Sequence, residues 1–235
     1  MDIQQLISAD QDLLLRLNAG HTLFWDGFMW VCTSTVIWIP VAAMLLYVLF
    51  KNNKPWEAIT LVLMVGLVIT AADQFASSFC KPYFMRFRPA QDPQLMYLVE
   101  IVNGYRGGRY GFVSSHAANT FAIAAFVSLL IRNWRLSLML FFWAFLNSYS
   151  RIYLGVHYPG DILFGALEGM FFAVLIYAGY YLLQKKVFKK PQYISSQYTS
   201  TGYVISDVDM LLTTFLATFF VILIGGFLVA EYLYF

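Results

Sequence analysis

Residues 160–184 read GDILFGALEGMFFAVLIYAGYYLLQ. A helix needs about 20 predominantly apolar residues to cross the hydrocarbon core of a bilayer. This run exceeds that length, and its only ionisable groups other than tyrosines are Asp161 and Glu168. Five further runs reach or approach the same length, at 26–50, 56–80, 112–132, 136–154 and 209–234. The pattern predicts an all-α fold, a polytopic membrane helix bundle of about six transmembrane helices. Composition agrees: 60% of the 235 residues are hydrophobic and 12% are charged, against about 25% charged in a soluble domain. Mean hydropathy is +0.65.

Residues 1–20 place Ile3, Leu6, Ile7, Leu14 and Leu17 near helical spacing, with Asp and Gln between them. Such a segment is too polar to span and is expected to lie at the interface as a short N-terminal amphipathic helix. Pro40 is expected to kink the first span, which membrane helices tolerate. Asp161, Gly165 and Gly169 fall on one face at i, i+4, i+8, a pattern for close helix contact. Asp73 and Glu168, costly in lipid unless paired, are read as structural hydrogen-bonding groups. Cys32 and Cys80 lack CxxC spacing and read as apolar packing residues.

The chain is expected to form a single membrane-embedded domain, 1–235. Asn103-Gly104 and Gly107-Gly108 mark 91–111 as a surface loop. Residues 187–208 are read as a cytoplasmic linker, and 209–234 as an additional C-terminal membrane helix. Orientation follows from basic residues. The loops after spans one, three and five hold Lys51, Lys54, Arg132, Arg135, Lys185, Lys186, Lys189 and Lys190. The other side holds Arg16, Lys81, Arg86, Arg88, Arg106, Arg109 and Arg151. Setting aside Lys81, Arg88 and Arg151, which have a chemical reason to be there, leaves eight against four. The 51–54 loop is therefore placed in the cytoplasm and the other side outside. A net charge of +2, with scattered basic residues, excludes nucleic acid as the expected partner.

Chemistry-bearing residues gather at the ends of the apolar runs. Lys81 and Arg88-Pro89 leave the second. Ser114-Ser115-His116 opens the third, and Ser150-Arg151 closes the fourth. His157 and Asp161 introduce the fifth. Taken singly, each has a plain alternative: an interfacial histidine, a snorkelling arginine, an N-capping serine, a carboxylate at a helix N-terminus. Together they are what attack on phosphorus needs: cations for phosphoryl oxygens, one imidazole to attack, another to protonate the leaving group, and a carboxylate to orient the attacker. Arg86 lies outside this spacing and is read as a surface cation.

These blocks resemble the three-part signature of the type 2 phosphatidic acid phosphatase family, related to vanadium haloperoxidases: K-x6-RP, then PSGH, then SR-x5-H-x3-D. Lys81 to Pro89 matches the first, and Ser150-Arg151 through His157 to Asp161 matches the third. In the second, Ser114 and His116 match, while Val113 and Ser115 replace the proline and glycine. The resemblance covers 81–170 and implies a metal-independent, cofactor-free lipid phosphatase. It implies Lys81, Arg88 and Arg151 as phosphate clamps, Ser114 and the Ser115 backbone as oxyanion donors, His116 as general acid, His157 as nucleophile through a phosphohistidine, and Asp161 as orienter.

The expected setting is the bacterial inner membrane, multi-pass, with the site on the periplasmic or extracytoplasmic side. The expected partners are the bilayer and a membrane lipid phosphate. Undecaprenyl diphosphate is the favoured substrate. Alternatives are lipid A, or phosphatidylglycerol phosphate or phosphatidic acid. Arg106 and Arg109 are candidates for a second anionic group. A different class, a non-catalytic lipid transporter or lipid-binding protein, keeps the cations but has no use for an oriented histidine. The sequence does not fix the oligomeric state.

Overall fold

A computed structural model describes residues 2–188 and 196–233. Its elements are α1 (Ile3–Asn18), α2 (Leu23–Cys32), α3 (Ile39–Lys51), α4 (Pro55–Gln74), α5 (Lys81–Phe84), α6 (Ser115–Ile131), α7 (Trp134–Tyr153), α8 (Pro159–Leu183) and α9 (Ile205–Ala230). Among the described residues there is no strand beyond two isolated bridges. Three stretches are long and apolar enough to cross a membrane: Pro55–Phe84, Pro159–Lys186 and Ile205–Ala230. The α2–α3 pair passes that test jointly but bends by 63°. The chain is thus a multi-pass membrane protein. Two of the six expected spans fall short of the criterion. Helix α6 has 17 residues, and α7 carries Arg135, Asn147, Ser148, Ser150 and Arg151 within its 20.

The first span breaks elsewhere than expected. Pro40 sits in the first turn of α3, where a missing N–H costs nothing. The bend falls at Thr33-Ser34, between α2 and a 3-10 turn over Thr35–Trp38.

Helix α6 is the centre of the bundle. Its alanines at 117, 118, 122, 124 and 125 are buried, and α4, α7 and α8 pack around it. The α8 glycines do what their spacing predicts. A Cβ on Gly165 would lie 2.6 Å from the Ser114 carbonyl oxygen, and one on Gly169 2.0 Å from that of Ala118. Only glycine lets the two backbones approach so closely. The same device seats α9, for which the sequence offers no role. Gly27 of α2 meets Gly226 of α9 backbone to backbone, and α9 covers α2 and α3. Cys32 and Cys80 are free thiols in the apolar core.

The helices alternate in direction, so one end of the bundle carries residues 85–114, 154–158 and α1. The opposite end is tied by Lys51–Asp207 (2.8 Å) and Arg135–Asp209 (3.0 Å). Of the expected 187–208 linker, residues 189–195, including Lys189 and Lys190, lie outside the described residues. Residues 198–204 are an anchored turn rather than a loose linker: Thr201 donates to the Ile131 carbonyl and the Val204 N–H to Asn52. Helix α1 is packed onto the bundle. Buried Leu14 packs with Leu95, Val99, Ile152 and Tyr158. Asn18 Nδ2 donates to the carbonyls of Glu100, Ile152 and Tyr153.

Candidate active site

The first block owes its shape to a helix that stops. After a π-type segment over Phe75–Cys80, α5 ends at Met85 in the left-handed region (φ 44°). The chain then runs extended against residues 109–111: the Arg88 N–H donates to the Arg109 carbonyl (3.1 Å), and the Gly111 N–H to that of Arg86 (2.9 Å). Alternate residues of an extended segment share a face. Arg86 and Arg88 therefore point together, while Phe87 pairs with Tyr110. Arg88 donates through Nε to the Tyr110 carbonyl (3.2 Å) and through Nη1 to that of Val156 (3.4 Å). Lys81 Nζ donates to Ser77 (3.2 Å) and to Ser115, and the two hydroxyls lie 2.9 Å apart.

Tyr158, Pro159 and Gly160 start α8, as the sequence predicts, and Asp161 lies in its first turn. His157 precedes the helix. Its Nδ1 is 3.3 Å from Asp161 Oδ2, and the two residues are 2% and 0% exposed. The Tyr158 N–H also donates to Oδ2, at 3.1 Å. Oδ1 takes a hydrogen bond from Arg86 Nη1 at 3.0 Å. Gly111 is the meeting point: a Cβ there would lie 3.1 Å from Arg88 Cγ, 3.1 Å from Asp161 Oδ2 and 3.4 Å from His157 Nδ1. Burial, reinforced by Arg88, Arg151 and Lys81, holds the His157 pKa well below its usual 6.5. A neutral ring with Nδ1 turned to the carboxylate leaves Nε2 with its lone pair.

Ser114 is the N-cap of α6, and its own N–H donates to the Asp161 carbonyl (3.0 Å). The start of α6 thus sits against the start of α8. Ser115 and His116 occupy the first two helical positions, where backbone N–H groups lack helical acceptors and favour an anion. His116 is within electrostatic reach of Arg151, His157, Arg88 and Lys81. Arg151, 4% exposed, donates to Thr33 Oγ1 (2.9 Å) and to the Tyr105 hydroxyl (3.2 Å). Its buried Nε has no hydrogen-bond partner among the described residues.

Six of the cations sort into two groups. Lys51, Arg86 and Arg135 are paired with carboxylates. Lys81, Arg88 and Arg151 bind neutral oxygens instead. Partly or fully buried positive charge without a counter-ion is the arrangement an anionic ligand completes. Arg106 and Arg109 lie apart on the exposed 103–109 loop. Arg106 braces the Ala90 carbonyl (2.7 Å), and Arg109 stacks near Phe87 and Tyr110. Asp73 accepts from Asn119 (3.2 Å), a structural hydrogen bond as expected, whereas both buried oxygens of Glu168 lack a partner among the described residues.

Arg86 requires a correction. It is no surface bystander: it ion-pairs with Asp161 and, at 2.7 Å, with Asp10. Asp10, Thr33, Ser77 and Tyr105 also touch the site, and no motif in the sequence marks them.

A profile of the PAP2 superfamily matches residues 57–185. The chain is 47% identical over 176 residues to a protein of Bacteroides thetaiotaomicron named lipid A 4'-phosphatase, covering 74% of this chain and 78% of the relative. It is 35% identical over 178 residues to a Porphyromonas gingivalis protein of the same name, covering 76% and 75%. It is 31% identical over 177 residues to an undecaprenyl-diphosphatase of Sulfolobus acidocaldarius, covering 73% and 79%. Among solved structures, Aquifex aeolicus LpxE aligns at 30% identity with a TM-score of 0.54, over 71% of this chain and 93% of that one. A phosphatidylglycerolphosphate phosphatase of Bacillus subtilis shares the fold at 20% identity, TM-score 0.56, over 78% and 89%. The profile takes in Lys81, Arg88, His116, Arg151, His157 and Asp161 in one continuous match, and on that footing the chain belongs to the PAP2 superfamily, as a membrane phosphatase that hydrolyses phosphoester bonds of a lipid.

Proposed function

We propose that this protein is a lipid A 4'-phosphatase, acting from the extracytoplasmic face of the bacterial inner membrane through a metal-independent phosphohistidine mechanism. The observation that carries the substrate is the 47% identity to a lipid A 4'-phosphatase across three quarters of both chains. This revises the expectation of undecaprenyl diphosphate. The relative of that name is more distant. Phosphatidylglycerol phosphate has only a likeness of fold behind it. A non-catalytic lipid binder would have no need of the buried His157–Asp161 pair.

In the first step His157 Nε2 attacks phosphorus, forming the N–P bond as the bond to the sugar oxygen breaks. His116, protonated once the negative charge of the bound phosphate offsets the cations around it, gives its proton to that oxygen. Lys81, Arg88, Arg151 and the Ser114-Ser115 turn hold the phosphoryl oxygens, where fixed charge acts on the transition state. In the second step water attacks phosphorus, His116 takes the water's proton, and the N–P bond breaks to release phosphate and restore the neutral imidazole. Asp161 keeps the Nδ1 proton in place throughout. Arg109, exposed at the rim, meets the second phosphate of lipid A, while Arg106 shares the loop with one nitrogen committed to Ala90.

The test is a substrate panel in detergent: bisphosphorylated lipid A, undecaprenyl diphosphate and phosphatidic acid, with products identified by mass spectrometry. Lipid A should lose its 4'-phosphate with the highest kcat/KM. Turnover of undecaprenyl diphosphate with lipid A left intact would contradict the substrate assignment.

A further inference from the structure

The carboxylate that orients His157 has a second face, and that face is occupied. Asp161 is fully buried. Ionising a carboxyl away from water is unfavourable without a compensating charge, and a protonated Asp161 would compete poorly for the Nδ1 proton. Arg86 supplies the charge. Its Nη1 donates to Oδ1, opposite the oxygen that faces His157 and the Tyr158 N–H. Its guanidinium lies 3.9 Å over the Tyr158 ring, and its carbonyl accepts from the N–H of Gly111.

Arg86 is itself held from the other side. Its Nη2 donates to Asp10 Oδ2 (2.7 Å), and Asp10 Oδ1 accepts from the N–H of Gly160, one residue before Asp161 (2.7 Å). A Cβ on Gly160 would lie 2.8 Å from Asp10 Oδ2, so the contact requires a glycine there. Asp10 belongs to α1, which lies outside the 57–185 family match.

We infer that Arg86 and Asp10 are positioning residues of the reaction: an Asp10–Arg86–Asp161 chain keeps the orienting carboxylate charged and aligned behind His157, making α1 part of the catalytic apparatus. The inference rests on the proposed role of His157 and Asp161. Neither Arg86 nor Asp10 touches the phosphate in this account, so their loss acts on the chemical step and not on binding.

The experiment compares Arg86→Ala, Arg86→Lys, Asp10→Asn and the double variant Asp10→Asn/Arg86→Ala in the full chain, with thermal unfolding in detergent followed for each. Arg86→Ala should lower kcat roughly 10- to 100-fold, less than the roughly 10⁴-fold that follows loss of an orienting carboxylate itself, with KM unchanged within about threefold. Arg86→Lys should recover a large part of kcat. Asp10→Asn should give a smaller loss that adds little on top of Arg86→Ala, as expected for residues acting as one unit. A rise in KM at constant kcat would make Arg86 a substrate contact and overturn the inference. So would parental kcat in Arg86→Ala, or an Asp10→Asn loss undiminished in the Arg86→Ala background. If Arg86→Ala does not unfold cooperatively, Arg86→Lys and Asp10→Asn decide: parental kcat in Asp10→Asn overturns the inference, and a kcat-specific loss supports it. His157→Ala separates the two claims. Activity in His157→Ala defeats the phosphohistidine reading as well, whereas an inactive His157→Ala beside a fully active Arg86→Ala defeats only the positioning chain.

Discussion

Lys81 donates to the hydroxyl of Ser115, the residue that stands where the family signature has glycine. The side chain this protein adds is thus turned to Lys81, and the Ser115 N–H stays at the first position of α6. Ser115→Gly and Ser115→Ala should therefore keep kcat/KM within several-fold. Ser115→Pro removes the N–H at a position where proline suits a helix, and Ser114 already has the extended backbone that precedes proline (φ −75°, ψ 111°). It should cost roughly 10²–10³ in kcat, the loss for one oxyanion donor. Equal effects of glycine and proline would remove the backbone from the site.

The cations divide by partner. Lys81→Ala, Arg88→Ala and Arg151→Ala should each lower kcat/KM far more than Arg16→Ala, on the exposed side of α1. Arg88→Lys should remain poor, because its Nε and Nη1 donate to separate carbonyls in a fixed fork. Arg109→Ala should raise KM for bisphosphorylated lipid A more than for a lipid with a single phosphate. Steady-state kinetics on both lipids measures this.

His157 sets a pH dependence. Burial and then the cations Arg88, Arg151 and Lys81 depress its pKa. The ring therefore stays neutral to lower pH than an ordinary histidine. The acid limb of kcat/KM due to this group should lie below pH 6.5 and move upward in Lys81→Ala, which removes one depressing charge. Profiles taken with two substrates of different phosphate pKa separate the enzyme's limb from the substrate's. An enzyme limb at or above 6.5 in the parent would contradict the buried neutral imidazole.

Much of this site is legible because its parts are local. His157 and Asp161 are four residues apart across a Tyr158-Pro159-Gly160 helix start, and Ser114 caps a helix it immediately precedes. The α8 glycines announce close packing through their spacing alone. What escapes is long-range or depends on neighbours. Arg86 and Asp10 are 76 residues apart, and an amphipathic pattern in α1 marks a buried face without naming what covers it. The bend at Thr33 has no proline to flag it, and that residue meets Arg151 from 118 positions away. Helix α7 reads as a span but falls short in apolar character, because its C-terminal end is built to carry Arg151 into the site.

Orientation can be read chemically. In a background lacking the buried Cys32 and Cys80, a cysteine at exposed Gln94 should react with a membrane-impermeant thiol reagent in intact spheroplasts. One at exposed Lys54 should react only after lysis. The reverse pattern would place the site at the cytoplasmic leaflet.

The central claim is a covalent bond from His157 to phosphorus, and the most direct measurement is to catch it. Enzyme mixed with lipid A radiolabelled in the 4'-phosphate, with EDTA present, is quenched within milliseconds in alkali, where phosphohistidine survives, and then digested and sequenced by mass spectrometry. The account predicts label on the peptide containing His157, chased by unlabelled substrate, suppressed by vanadate as a transition-state mimic, and absent from His157→Ala. Label on another residue, or turnover that stops with EDTA and returns with a divalent metal, would contradict it.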